Sequence, residues 1–451
     1  MARDAEARAE LAAVEAELRA RWPENQLEPS LDRIRALVDL LGQPQRAYPV
    51  IHLTGTNGKT STARMIDSLL RTFQLRTGRY TSPDLGSPTE RISIDGQPVS
   101  AERFVEVYRE VAPYAAIVDR NQPVPLSYFE YLTAMGFAAF ADAPVEAAVV
   151  EVGLGGAWDA TNVADGRVAV VTPIALDHEN YLGDTVESIA TEKAGIIKAG
   201  ATLIASAQPT AAAQILLRRA VEVGATVARE GLEFGVIDRK VAVGGQLLRL
   251  QGLGGEYPEL FLPLHGEYQA RNAAAALAAV EAFFGAGANT GPLDVEVVKE
   301  GFAQASSPGR LEVVRRAPTI LVDSAHNPAG MEATVAAVED AFGFTRLVGV
   351  LAVLEDKDVA GMLEILEPVL ESVVVTANSS PRALDAEMLG ARAVEYFGAE
   401  RVEVALRLDD AIEAAVRQVE EGADLEAGGL GVLITGSVVT AGDARALLVR
   451  S

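Results

Sequence analysis

The stretch Val50-Ile51-His52-Leu53-Thr54-Gly55-Thr56-Asn57-Gly58-Lys59-Thr60-Ser61-Thr62 constrains the fold more than any other part of the chain. Val50 to Leu53 reads as a short buried strand. Ala63 to Leu70 then carries apolar residues at helical spacing. A strand, a glycine turn and a helix start together form a phosphate site. Glycines let backbone N–H groups approach an anion, and the helix N-terminus favours its charge. Lys59 can reach a terminal phosphate, and Thr60 can ligate the accompanying Mg2+. Two residues, rather than the four of the general P-loop, separate Gly55 from the Gly58-Lys59-Thr60 triplet.

Further chemistry is expected at the carboxyl ends of the next strands. Val145 to Gly153 reads as a buried strand ending in Glu151, where a metal-binding acid is expected in a P-loop enzyme. Val168 to Thr172 is another apolar strand, leading to Asp177-His178-Glu179. In an open parallel sheet these ends share one crevice, which would bring Lys59, Glu151 and His178 together. The run 188–197 reads as a helix with Lys193 on its inner side, and a buried lysine near a metal needs neutralising or modifying. The proline-rich span 81–91 reads as a loop over the phosphate site.

Residues 4–20, 30–41, 101–118 and 128–141 read as helices. The span 232–263 has short β-like runs and reads as a small antiparallel appendage. A long alanine-rich helix comes next, to about residue 284. Ala305-Ser306-Ser307-Pro308-Gly309-Arg310 marks a composition shift, after which βα alternation restarts. The expected fold class is α/β. A P-loop-containing, doubly wound, mostly parallel sheet domain (1–305) carries the appendage. A hinge (306–310) joins it to a second Rossmann-like α/β domain (311–451). Asp323 and His326 fall at the end of that domain's first full strand.

Composition narrows the function. The chain has 451 residues and a formal charge of −24, so nucleic acid is a poor partner and self-association is not favoured electrostatically; a monomer is expected. Cysteine is absent, which excludes disulfides, thiolate metal sites and cysteine nucleophiles. No apolar run is long enough for a signal peptide core or a membrane span, so a soluble, cytoplasmic protein is expected. There are six lysines and four histidines, and His52, His178 and His326 are read as lying in or beside glycine- or acid-containing turns.

Taken in order, these motifs resemble the folylpolyglutamate synthase/dihydrofolate synthase family of the Mur ligase superfamily. They are His-Leu-Thr-Gly-Thr-Asn-Gly-Lys-Thr-Ser (52–61), Thr-Ser-Pro-Asp-Leu (81–85), Glu-Arg-Ile (90–92), Glu-Val-Gly-Leu-Gly-Gly (151–156) and Asp-Ala-Thr-Asn (159–162). Asp-His (177–178), Tyr-Leu-Gly (181–183), Glu-Lys-Ala-Gly-Ile (192–196), Pro-Gly-Arg (308–310) and Asp-Ser-Ala-His-Asn-Pro (323–328) complete the set. The resemblance implies that ATP phosphorylates a carboxylate of a folate or of dihydropteroate, and that L-glutamate displaces the phosphate. It implies ATP contacts from Thr56, Asn57, Gly58, Lys59, Thr60, Ser61, Asn272, Arg310 and Asp323, with His326 close by. It implies Mg2+, two ions in all, on Ser82, Glu151 and His178, with Lys193 carbamylated into a further ligand; Thr60 joins them from the phosphate-loop reading above. Phe129, Asp159, Ala160 and Ser127 match pterin-side positions. Catalytic roles would fall to Lys59, Lys193, His178, His326 and Asp323. The chain departs from the family pattern at Thr60 and Ser324, both commonly glycine, and at Ala157, commonly arginine.

The main alternative is another Mur-type ligase acting on a muramyl peptide. Thr81-Ser82-Pro83 and Glu90-Arg91-Ile92 count against it, as does the short run before the phosphate strand. A non-catalytic nucleotide-binding regulator would lack Glu151, His178 or Lys193, and all three are present.

Overall fold

The computed structural model describes residues 2–22, 28–287, 290–421 and 429–449. The first sheet is built from β1 (Val50–Thr54), β2 (Thr77–Tyr80), β3 (Ile92–Ile94), β4 (Gln97–Pro98), β5 (Ala147–Glu151), β6 (Gly166–Val171), β7 (Thr202–Ala205) and β8 (Thr226–Arg229). Their order is β4-β3-β2-β5-β1-β6-β7-β8. All neighbours from β2 to β8 are parallel, while β3 and β4 form an antiparallel edge. The phosphate strand β1 is therefore central, paired with β5 on one side and β6 on the other.

Strand residues alternate between two cores, as a pleated sheet requires. Ile51, Leu53, Val149, Val168 and Val170 face the helices Lys59–Thr72 and Glu267–Phe284. Val50, Ala148 and Val150 face the helices Ala101–Asn121 and Tyr128–Asp142 on the other side. That is a doubly wound sheet. The central strands are apolar throughout because both faces are covered.

The appendage is a three-stranded antiparallel sheet of β9 (Gly235–Ala242), β10 (Gly245–Gln251) and β11 (Glu256–Leu262). Glu281 of the long helix ties it down, its buried carboxylate accepting from Gly254 N at 3.0 Å and Tyr257 OH at 2.8 Å.

The second large sheet comprises β12 (Glu312–Arg316), β13 (Thr319–Val322), β14 (Arg346–Leu351), β15 (Ser372–Val375), β16 (Val402–Val404) and β17 (Leu430–Thr435). Its order is β12-β13-β17-β14-β15-β16, parallel except for β12. The same two-face alternation holds: Leu321, Leu347 and Leu433 face one core, and Ile320, Val348 and Val432 the other. The α/β class, the appendage and the Rossmann-like second sheet agree with the sequence reading.

The differences are local. Strands β3, β4 and β12 are not anticipated by the sequence pattern. Ile92 to Pro98 turns back through Asp95-Gly96, both at positive φ, and is too short for a clear two-residue period. Strand β12 is an edge strand with three arginine or glutamate residues in five, so its polarity hides it. His52 lies within β1 and is wholly buried, in agreement with the strand read at Val50 to Leu53.

Beneath the phosphate helix, Asp67 is buried and accepts from Arg79 Nη1 at 2.7 Å and Thr77 Oγ1 at 2.6 Å. Arg79 is itself buried. Asp67→Ala would leave that guanidinium charged and unpaired in the core, a loss of about 3–5 kcal/mol. Urea denaturation should show a lower midpoint with an unchanged slope.

Candidate active site

The loop after β1 has a shape that only glycine allows at two positions. Gly55 has φ +147°, and a Cβ there would lie 1.8 Å from Thr172 Oγ1. Gly58 has φ +88°, and a Cβ would lie 2.6 Å from Asn272 Oδ1. Asn272 thus packs directly on the phosphate loop, and Gln269 accepts from its Nδ2 at 3.1 Å. The rest of the loop is pinned from both sides. Thr56 Oγ1 donates to Ala175 O at 3.0 Å. Ser61 is buried, with its hydroxyl 2.9 Å from that of Ser307 in the connection to the second sheet.

Two lysines converge on one acceptor. Lys59 Nζ donates to Gly55 O at 3.0 Å and to Thr56 O at 3.1 Å. Lys193 Nζ donates to the same Gly55 O at 2.8 Å, from the buried side of the helix Val186–Ala194. Burial pulls both ammonium groups down, Lys193 to about 7, with the charge of Lys59 adding to the effect. Lys59, Lys193, Asp177 and His178 line one cleft with Gly153, Leu154 and Gly155.

Glu151, the last residue of β5, is buried. It accepts from Thr60 Oγ1 at 2.9 Å and from Ser82 N at 3.4 Å. Burial raises its carboxyl, while the charges of Lys59 and Arg310 and the Thr60 bond act in the other direction. This arrangement accounts for the hydroxyl at position 60, because it orients the acid. Ser324 is explained in the same way: its hydroxyl donates to Gly309 O at 2.6 Å and fixes the connection. At Ala157 the chain runs so close to the end of the lysine helix that a Cβ on Gly195 would lie 2.4 Å from Ala157 Cα.

A carboxylate with a neighbouring hydroxyl suits Mg2+, which keeps several waters and takes one or two carboxylates plus phosphate oxygens. Among the described residues no group of three or more His, Asp or Glu side chains is placed to hold a metal. The fit therefore rests on Glu151, Thr60 and the Ser82 loop, with oxygen donors from a phosphate completing the shell. His178 is at the cleft rim with φ 55°, its Nε2 3.8 Å from Asp177 Oδ2. Burial holds its imidazole below the usual value, in the neutral form that a metal requires.

The second sheet presents its own strand ends to this cleft. Asp177 Oδ1 accepts from Lys357 Nζ at 2.8 Å, and both side chains are 8% exposed. Asp177 Oδ2 accepts from Asn327 Nδ2 at 3.0 Å and lies 3.5 Å from His326 Nε2. Burial alone would raise the Asp177 carboxyl. The His326 bond and the charge of Lys357 outweigh that and hold it far below the usual range. Asn57 and Asn327 bridge the same gap, 3.4 Å from Asn57 Nδ2 to Asn327 Oδ1.

Asp323 sits deeper. Its carboxylate accepts from Leu311 N, Ala325 N and Thr334 Oγ1, each at 2.8 Å, and so shapes the turn that carries Arg310. Ser127 caps the helix Tyr128–Asp142 in a reciprocal capping box with Glu130. The Phe129 ring lies against Gly153, where a Cβ would meet it at 2.5 Å. Asp159 is buried and accepts from Leu154 N at 3.0 Å and Thr161 N at 2.9 Å, next to the buried Ala160. Burial pushes its carboxyl up to about 6. The structure thus joins Lys59, Lys193 and His178 in one cleft and sets Thr60, Ser82 and Glu151 beside it. Asn272 packs on the phosphate loop and the charge of Arg310 reaches Lys59 and Glu151, while Phe129 and Asp159 meet the Gly153-Leu154 turn; Asp323 serves the Leu311 turn, Ser127 caps a helix and Ala160 is in the core. Sequence reasoning gives Lys357 and Asp177 no role. Lys357 comes after β14, so the strand-end rule that picks out His178 would have found it.

Two family models match the chain: the Mur ligase middle domain over residues 53–280 and the Mur ligase glutamate ligase domain over residues 309–438. The dihydrofolate synthase/folylpolyglutamate synthase of Mycobacterium tuberculosis is 54% identical across 98% of this chain and 94% of its own length. This chain belongs to the dihydrofolate synthase/folylpolyglutamate synthase family. The Escherichia coli member of that name is 34% identical over 82% of each chain. A solved Mycobacterium tuberculosis folylpolyglutamate synthase complexed with ADP superposes with a TM-score of 0.94, 54% identity and 99% coverage of both chains. A solved FPGS–AMPPCP–folate complex gives a TM-score of 0.83 at 30% identity, covering 98% of this chain and 100% of that one. No helix of the described residues is long and apolar enough to cross a membrane.

The depressed Lys193 makes a pH prediction. An unfolded lysine titrates near 10.5 and this one near 7, so the folded state binds fewer protons between those values. Stability contributed by this group therefore rises as pH climbs from about 7 toward 10.5, and is constant below that window. In CO2-free buffer, Lys193→Met should be the more stable protein at pH 7 and should lack the rise. Denaturant titrations of both proteins at pH 7, 8 and 9 check this.

Proposed function

We propose that the chain is an ATP-dependent ligase that adds L-glutamate to folates and also to dihydropteroate, through an acyl phosphate. The observation that carries this is the convergence of Lys59 and Lys193 on the Gly55 carbonyl, at a cleft whose far wall is supplied by the second sheet. The buried ammonium of Lys59 on a glycine loop suits a polyphosphate, the depressed Lys193 beside it suits modification, and a second wall suits a second substrate.

In the first step a carboxylate oxygen of the pteridine substrate attacks the γ-phosphorus, and ADP leaves with the bridging oxygen. In the second, the amine of L-glutamate attacks the acyl carbon, loses a proton, and inorganic phosphate departs. Neither step needs a protein nucleophile; both need anions held together, which is the work of Lys59 and the loop N–H groups. Asn272, Arg310 and Asp323 flank the nucleotide, with Asp323 acting through the turn it organises. Phe129, Asp159, Ala160 and the end of the helix capped by Ser127 form the pteridine side. Lys357 and His326 bring cationic and hydrogen-bonding groups suited to the carboxylates of the incoming amino acid, in the place that Asp177 takes here.

Thr60, Ser82, Glu151 and His178 would hold Mg2+, which when bound supplies charge neutralisation for the transferred phosphoryl group. A carbamate on Lys193 would complete the set for two ions. A lysine near 7 has a neutral fraction that can add CO2, and the product turns a buried cation into an anion beside Lys59. The net charge of −24 disfavours self-association, which fits action as a monomer.

ADP release with Mg2+, ATP and L-glutamate should occur with dihydropteroate and, separately, with a reduced monoglutamyl folate. Release with the folate alone would remove dihydropteroate from the reading. Release with neither would remove the reading as a whole. Lys193→Ala should lower turnover by about 100-fold or more while the protein stays folded by circular dichroism. Ordinary turnover in that variant would rule out the carbamate.

A further inference from the structure

The wholly buried His52 has no part in the scheme above, yet it is the one titratable side chain of the central strand β1. We propose that His52 and Thr161 are positioning residues for Asp159, and through it for the pteridine end of the substrate. The inference rests on the assignment of Asp159 to that side of the site.

His52 Nε2 lies 2.9 Å from Thr161 Oγ1. Thr161 Oγ1 in turn donates to Asp159 Oδ1. An ionised carboxylate only accepts, so the single hydroxyl proton goes to Asp159 and a hydroxyl lone pair faces the imidazole. Nε2 therefore carries the ring hydrogen. Nδ1 is left bare, and it is buried without a hydrogen-bond partner among the described residues. A histidine held in one tautomer at this cost in a dry strand is better explained by its bond to Thr161 than by packing.

The chain of bonds starts from a rigid place. Strand β1 is paired on both sides, and Gly166 of β6 leaves so little room that a Cβ there would lie 3.0 Å from His52 Cβ. It ends in a loop that touches the candidate pteridine side twice. Asp159 Oδ2 accepts from Leu154 N, and neighbouring Gly153 carries the Phe129 ring. Removing the hydroxyl takes a donor from Asp159 and the acceptor from His52 together. The carboxylate then loses one of its bonds and keeps those from Thr161 N and Leu154 N, so its charge is less well met on the Thr161 side, while the phosphate loop, held by other residues, is untouched.

Thr161→Val keeps the shape and removes the hydroxyl; Thr161→Ser keeps the hydroxyl. KM for dihydropteroate and for a reduced monoglutamyl folate would be measured in both variants, with the ATP Kd by calorimetry. Thr161→Val should raise the pteridine KM about tenfold or more, the cost of an unpaired buried polar group, with the ATP Kd within a factor of about two. Thr161→Ser should restore the KM to within about threefold of the wild type. A wild-type KM in Thr161→Val, or an ATP Kd that weakens in step with KM, overturns the inference. Asp159→Ala serves as the reference. If it raises KM and Thr161→Val does not, the positioning role alone fails; if it does not raise KM, the pteridine-side assignment fails as well. Should Thr161→Val not fold, His52→Gln against His52→Leu decides the same point: the first should keep the pteridine KM and the second raise it, and equal KM values overturn the role.

Discussion

Two ammonium groups share the Gly55 carbonyl oxygen, and much of the site depends on that crowding. Lys59 and Lys193 approach it at 3.0 and 2.8 Å from different elements, one on the helix after β1 and one on a helix beyond β6. A like charge this close in a buried site depresses the affinity of Lys193 for its proton, on top of burial. Glu151 is the nearest compensating acid of the phosphate strand's neighbour, and it is already engaged with Thr60 and Ser82. A carbamate on Lys193 would relieve the crowding, and Lys59 with the loop N–H groups then offers a place for a polyanion. Affinity for nucleotide is thus rooted in charge and burial, independent of any family.

The parallel topology explains why the groups meet at all. Strands β1, β5 and β6 end side by side, and their loops deliver the glycine loop, Glu151 and Asp177-His178 to one crevice. The second sheet turns its own strand ends, with His326, Asn327 and Lys357, toward the same place. Asp177 is where they join: it is held far below its usual range by cations from the other sheet, so it remains charged across the whole working pH span. The crevice is thus closed by an ion pair rather than by apolar contact. Such a wall can exchange one anion for another without rebuilding a core.

Much of this is legible in the sequence because the chemistry sits where regular elements end. Lys59, Glu151 and His178 lie just beyond apolar strands, and Lys193 lies on the inward face of a helix. The resemblance adds Ser82, Asn272 and the pteridine-side residues, which no period or spacing marks. Two kinds of feature escape. Short edge strands such as β3, β4 and β12 carry too few residues, or too many charges, to show a period. Contacts between distant segments, Asp177 with Lys357 above all, depend on how two sheets face each other, and nothing local in either segment encodes that. His52 falls inside the strand read at Val50 to Leu53, but that it reaches Thr161 across the sheet depends on a distant segment in the same way.

The central chemical claim is that phosphate passes to a carboxylate and not to water. The most direct measurement uses a folate substrate whose reacting carboxylate carries 18O at both oxygens, turned over with unlabelled ATP, Mg2+ and L-glutamate. An acyl phosphate predicts one 18O atom in each inorganic phosphate released. Unlabelled phosphate, with amide still formed, would contradict it.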